Sequence, residues 1–343
     1  MPLPGSAACS LLPFRMLSAA GFDMTASAAL AVEHARTGRA IGRLPYPVLH
    51  RLVSTLSRAE TWIRWPLRTL HMLDFVDETF RRIDPDGARF GLTPAVQRRF
   101  RRNLLYDSVA DLAVLINKVD DESFRKRALT VDGEGKLRDE IVSRPGAIVV
   151  GFRLAGHSVL PLTLGALGYD TLMIVAGKHL ARMGESIGVT YAPGAGAHVR
   201  YVDAGDRLVL ARATEALNAG GVVATLLELS PLGFAKRTEV RFLDWTIRVP
   251  YGIPYLSAMT GRPVIPAVLT SEPGVRFRLE FLEPLPAPAR DRASIFAGTQ
   301  ALYGVLEGQV RRHPEQWAGW TVLESHLGID LGRPAPFRVP AVS

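Results

Sequence analysis

From residue 147 onward, short β-branched apolar runs alternate with longer segments of helical character, and this alternation limits the fold more than any other feature of the chain. Ala147-Ile148-Val149-Val150-Gly151-Phe152 is apolar throughout, as a strand buried on both faces requires. Residues 171–175, 198–202, 222–227, 239–247, 263–269 and 276–281 read as further strands. Residues 158–167, 206–219, 254–259 and 294–313 read as helices. The first three of these close on Gly168, Gly220-Gly221 and Gly261, where a left-handed residue can end a helix. Parallel neighbours need a crossover connection, which is usually a helix. The expected fold class is therefore α/β, a mostly parallel central sheet covered by helices.

Upstream the texture is helical. Residues 47–83 read as helix and include Trp62-Ile63-Arg64-Trp65-Pro66-Leu67-Arg68-Thr69-Leu70-His71-Met72, where aromatic, aliphatic and basic residues mix. Such a segment suits an ordinary packed helix started or kinked at Pro66, and also a helix lying on a membrane surface. Thr93-Pro94 opens the next helix, with threonine as cap and proline in the first turn. Residues 97–119 continue it, with Arg98, Arg99, Arg101 and Arg102 clustered near its start. Residues 120–142 read as a short helix, a turn at Asp132-Gly133 and a second helix. This divides the chain into an N-terminal arm (1–45), a helical N-terminal part (46–142), the α/β domain (143–325) and a tail (326–343).

Composition narrows the function classes. With 48% hydrophobic and 22% charged residues in 343, the chain can bury a full core. A single cysteine, Cys9, excludes an intramolecular disulfide and a multi-cysteine metal site. The longest charge-free runs stop short of the roughly 18–20 residues of a membrane span, and no basic region precedes an apolar run at the N-terminus. The expected location is cytoplasmic, peripheral to the inner face of the membrane. The net charge is +8, and 36 of the 41 basic residues are arginine. Arginine matches phosphate and carboxylate with a planar fork. An anionic membrane surface, an acidic carrier protein or a nucleotide-bearing co-substrate fits that charge. Nucleic acid is the third-ranked class, because no aromatic-rich basic motif or recognition helix stands out.

The sharpest local feature is Gly151-Phe152-Arg153-Leu154-Ala155-Gly156-His157-Ser158, which joins a buried strand to a helix. Ligands in α/β proteins sit at such strand-to-helix turns, on the carboxyl edge of the sheet. His157 is suited to proton transfer near neutral pH. Ser158 offers a competing site, since Gly156-His157-Ser158-Val159-Leu160 matches the G-x-S-x-G nucleophile elbow except for its last glycine. Gly194-Ala195-Gly196 lacks the lysine of a phosphate loop and reads as a plain loop. Asp203, Asp206 and Asp244 lack metal-ligand spacing and read as surface or capping residues.

Four stretches, in order, carry a family resemblance. They are 136–157, ending in Gly156-His157, and 207–228, a helix, glycines and a strand ending in Glu228. The third is Ile253-Pro254-Tyr255-Leu256-Ser257-Ala258-Met259-Thr260-Gly261-Arg262-Pro263-Val264-Ile265-Pro266, and the fourth His313-Pro314-Glu315-Gln316-Trp317-Ala318-Gly319-Trp320. From about residue 90 to 320 the chain resembles the bacterial lipid A biosynthesis acyltransferases, the lauroyl and myristoyl transferases, and their lysophospholipid-acyltransferase-like relatives. The resemblance implies transfer of an acyl group from a coenzyme A or carrier-protein thioester to a hydroxyl or amine of a lipid or small molecule. His157 would be the general base, with no bound cofactor or metal. The family places an aspartate or glutamate after the histidine and four further residues; this chain has Leu162 there. Glu228, at the end of another strand, is the expected replacement acid, and Arg153, Arg237 and Arg262 are the expected phosphate-binding residues at the mouth. Two other readings stand beside this one: a catalytically silent relative that binds lipid, acyl chains or a partner enzyme, and a serine hydrolase using Ser158.

Overall fold

The computed structural model of the chain describes residues 70–103, 118–177, 192–228, 236–272 and 276–321, together with a few isolated positions. The expected arm, the tail and residues 62–69 of the Trp62–Met72 segment lie outside the described residues. Among the described residues there are nine strands: β1 (Leu129–Asp132), β2 (Ala147–Gly151), β3 (Thr171–Val175), β4 (Val199–Asp203), β5 (Val222–Leu226), β6 (Arg237–Phe242), β7 (Trp245–Pro250), β8 (Val264–Glu272) and β9 (Arg276–Phe281). Among the described residues the helices are α1 (Leu70–Ile83), α2 (Pro94–Arg102), α3 (Glu122–Ala128), α4 (Glu134–Ser143), α5 (Leu160–Ala166), α6 (Pro193–Ala197), α7 (Val209–Asn218), α8 (Gly252–Thr260) and α9 (Arg292–Arg312). Thr93 caps α2 as its sequence position suggests, its hydroxyl accepting from the Val96 amide.

Seven strands build one sheet in the order β1-β9-β8-β2-β5-β3-β4. β2 is central and parallel to both β5 and β8, and β3 continues the parallel run with β5 and β4. β9 turns back antiparallel to β8 and takes β1 parallel to itself. The expected α/β fold with a mostly parallel sheet is what the chain adopts. Side chains alternate between two cores. Ile148, Val150, Leu172, Ile174 and Val223 join α7, α8, α9, α1 and α2 on one face. Ala147, Val149, Met173, Val222 and Ala224 join α3, α4, α5 and α6 on the other. Both faces of the sheet are thus covered, which explains why its central strands are apolar without alternation.

Two expectations are corrected. Residues 239–247 do not form one strand: β6 and β7 make an antiparallel hairpin turning at Leu243 and Asp244. The turn carries none of the Asn-Gly or Asp-Gly pairs that announce a hairpin, and Leu243 takes it with a positive φ of 52°. The 46–142 part is not wholly helical either. β1 interrupts it and completes the sheet edge, and Gly133 just after it, with a φ of +69°, makes the expected turn.

Candidate active site

β2 and β5 lie side by side, with Gly151 opposite Leu226. Their C-terminal ends deliver the residues 152–157 and 227–228 to the same edge of the sheet. The Leu227 amide donates to the Gly151 carbonyl at 2.9 Å, extending the ladder one step past the strands. Next, the Arg153 amide donates to the Glu228 carboxylate, at 3.0 Å to Oε2 and 3.3 Å to Oε1. Strand adjacency therefore places Glu228 against the histidine turn, as the sequence suggests.

The turn itself is compact. The Leu154 amide donates to the Phe152 carbonyl at 2.8 Å, and the His157 amide to the Leu154 carbonyl at 2.9 Å. The ring of His157 then closes on the same oxygen, with Nδ1 at 2.7 Å from it. A carbonyl can only accept, so Nδ1 carries the proton. In the neutral ring Nε2 then holds the lone pair, which is how a backbone carbonyl sets a histidine tautomer. His157 is 3% exposed. Gly156 packs directly on β8: a Cβ there would sit 2.8 Å from Leu269 Cγ and 3.2 Å from its carbonyl oxygen.

Glu228, the expected acid for His157, bonds the backbone of the turn rather than the ring. Among the described residues no hydrogen bond joins its carboxylate to His157; Oε1 accepts from the Trp317 indole at 2.7 Å and both oxygens face the Arg153 amide. Burial pushes the carboxyl of Glu228 above the ordinary glutamate range, against the Trp317 hydrogen bond and the Arg153 charge, which both favour the anion. The phenol of Tyr303 is raised as well, by burial first and then by the nearby Glu228 charge. The carbonyl of Leu154 and the indole of Trp317 are the two participants that sequence reasoning missed. A backbone acceptor leaves no residue-type signal. Trp317 stands out in the sequence, but nothing local says that it meets a glutamate 89 positions earlier.

Leu162, where the family has its acid, is 3% exposed and packs in the core between α5 and the sheet. Ser158 falls in the 3₁₀ turn His157–Val159, and its side chain lies outside the described residues. A nucleophile elbow holds its serine in a strained turn directly after a strand. Here β2 ends at Gly151, and among the described residues Leu243 alone of the non-glycines has positive φ.

The three arginines separate. Arg153 is buried at the turn, its charge set against Glu228. Arg237 is half-buried at the start of β6, opposite Pro250. Arg262 is not at the mouth. Its guanidinium donates to the Pro145 carbonyl at 2.9 and 2.7 Å, to Leu217 O at 3.3 Å and to Asn218 Oδ1 at 3.2 Å. Pro145 precedes β2 and Arg262 precedes β8, so this cluster lies on the amino edge, about 15 Å of strand away from His157. Gly194-Ala195-Gly196 is not the expected plain loop but lies in α6; the amides of Gly194 and Ala195, in its first turn, donate to the Asp120 carboxylate at 2.8 and 2.7 Å, so they serve a carboxylate of the protein itself. Asp203, Asp206 and Asp244 bond the Gly177 amide, the Leu208 amide and Arg89.

Among the described residues no group of three or more histidine, cysteine, aspartate or glutamate side chains could hold a metal ion, and no helix is long and apolar enough to cross a membrane. No model of a known protein family matches the chain, and no curated protein matches it significantly.

Proposed function

We propose that the protein is an acyltransferase in which His157 is the general base. The observation that carries this reading is the Nδ1–carbonyl bond of His157 at the carboxyl edge of β2. It gives Nε2 the lone pair without help from an acid at position 162. The order of the four sequence stretches, similar to that of the lipid A acyltransferases, adds the substrate class. The acceptor O–H or N–H gives its proton to Nε2 as the oxygen or nitrogen attacks the carbonyl carbon of an acyl thioester. The tetrahedral intermediate collapses by breaking the C–S bond, and the imidazolium returns its proton to the leaving thiolate. The Leu154 carbonyl dipole at Nδ1 also favours the imidazolium that forms. A neutral amine acceptor needs less help from the base than a hydroxyl does. The donor is a coenzyme A or carrier-protein thioester, and the acceptor a lipid or small molecule met in the cytoplasm or at the membrane's inner face.

Leu162, buried in the acid's place, favours a second reading: a silent relative that binds acyl chains without transferring them. Lauroyl-pantetheine separates the two, because it is the part that coenzyme A and carrier-protein donors share. Thiol release should depend on His157, first with water and then with hydroxylamine as acceptor. Equal release by wild type and His157→Gln with both acceptors would overturn the acyltransferase reading.

A further inference from the structure

The segment after α9 reaches back to the histidine turn and bonds both the turn and the end of β5. The Ala318 amide donates to the Arg153 carbonyl at 2.8 Å, while the Trp317 indole donates to Glu228 at 2.7 Å. Two peptide groups precede the carbonyl that carries the ring of His157, and all four of their polar atoms are engaged. In the first, the Phe152 carbonyl accepts from Leu154 and the Arg153 amide donates to Glu228. In the second, the Arg153 carbonyl accepts from Ala318 and the Leu154 amide donates to Phe152. The Leu154 carbonyl therefore has little freedom to swing, and neither does the ring bonded to it.

Trp317 is held firmly enough to serve as the anchor. It is fully buried, and its ring stands edge-on to Trp320 at 4.7 Å and to Phe242 at 5.4 Å between centroids. Gly319 lets the ring fold over the backbone: a Cβ there would lie 2.1 Å from Trp317 Cζ2. Trp320, by contrast, donates its indole N–H to the Pro314 carbonyl at 2.8 Å, within its own segment. Two neighbouring tryptophans thus each make one buried indole hydrogen bond, and only one of these bonds leads to the histidine turn.

We propose that Trp317 is a positioning residue for His157, acting through Glu228 and the Arg153 amide to fix the carbonyl that sets the ring's tautomer. Its kinetic consequence rests on the acyltransferase reading; its effect on the ring does not.

The test replaces one indole N–H by sulfur without changing shape, as Trp317→β-(3-benzothienyl)alanine in the full chain, with the same replacement at Trp320 as the comparison. The first readout is the ¹⁵N signal pair of the His157 ring, assigned by its loss in His157→Gln. Wild type should show a protonated Nδ1 and an unprotonated Nε2. The Trp317 isostere should average the two nitrogens, and Gly319→Ala, which displaces the same ring, should do likewise. The Trp320 isostere should leave them unchanged at a similar loss of thermal stability. The second readout is lauroyl-pantetheine turnover, where kcat should fall about 10–100-fold for the Trp317 isostere with KM within about twofold. An unchanged ring signature in the Trp317 isostere, or equal disturbance by both isosteres, would overturn the proposal. Absence of transfer by the wild type would sink the acyltransferase reading, and the ring signals would still decide the positioning role.

Discussion

The backbone amide of Arg153 meets the carboxylate of Glu228 at 3.0 Å, just beyond two parallel strands whose last residues are register partners. This contact ties the turn after β2 to the end of β5 and puts an ionisable group, 4% exposed, beneath the histidine turn. Its titration has a consequence for stability. Burial makes the folded-state carboxyl a weaker acid than in the unfolded chain. The stability it contributes is fully present below the ordinary value of 4.5 and is lost as pH rises through the folded value. The loss is about 1.4 kcal/mol for each pH unit separating the two values. Glu228→Gln lacks this titration. The stability of wild type minus that of Glu228→Gln, from denaturant melts across a pH series, should therefore fall with rising pH above 4.5. A difference that stays flat or rises would show that the carboxylate is better solvated than its surroundings indicate.

The two side-chain chemistries offered by residues 157 and 158 make opposite demands. If His157 is the base proposed above, His157→Ala should reduce transfer on the order of 10²–10⁴-fold. Ser158→Ala should leave most of the activity, because Ser158 lies within the 3₁₀ turn rather than at the tip of a strained elbow. A trapped acyl-enzyme that disappears in Ser158→Ala would establish the hydrolase reading instead.

What the sequence made legible follows from which interactions are local. β3 and β9 are read at their observed bounds because each is a short apolar or alternating run between turn residues. The β6–β7 hairpin escaped because its turn residues, Leu243 and Asp244, look like strand and surface. β1 escapes because four residues at a sheet edge, none of them buried, carry too little pattern. At the site, His157 and Glu228 were legible because both follow apolar strands, and strand ends at one sheet edge converge. Their actual partners were not. Leu154 contributes a backbone oxygen, and Trp317 arrives from the other side of a 21-residue helix. Arg262 is read to the wrong edge because the sequence around an arginine does not say at which edge of the sheet its side chain will bond, here at the Pro145 carbonyl.

Asp84 anchors the loop between α1 and α2. Its carboxylate, 1% exposed, accepts from the amides of Arg89, Phe90 and Leu92 at 2.9, 3.0 and 2.9 Å. The loop delivers Phe90 and Leu92 into the core beside Trp320. Asp84→Ala leaves these amides without their acceptor and should cost about 3 kcal/mol or more. Asp84→Asn keeps the shape and one acceptor oxygen and should cost less. Urea melts of the two variants check the order; equal losses would mean that packing, not hydrogen bonding, dominates at this position.

Arg262 offers the sharpest contrast between a binding arginine and a structural one. Its side chain bonds the Pro145 carbonyl, the Leu217 carbonyl and Asn218, where β2, α7 and β8 meet at the amino edge. It is 7% exposed, and its backbone carbonyl accepts from the Ser257 hydroxyl at 2.5 Å. Removing the guanidinium takes from the Pro145 carbonyl the donor it has here, whereas a lysine can reach that oxygen but cannot fork across it, Leu217 and Asn218 together. Arg262→Ala should therefore lose about 2–4 kcal/mol of stability, and Arg262→Lys somewhat less. Neither should change KM for a phosphate-bearing donor such as lauroyl-coenzyme A, because the cluster lies at the edge opposite His157. The check is a denaturant melt beside KM measured for lauroyl-coenzyme A and lauroyl-pantetheine. A KM increase of tenfold or more with the coenzyme A donor alone, and no loss of stability, would move Arg262 back among the phosphate-binding residues.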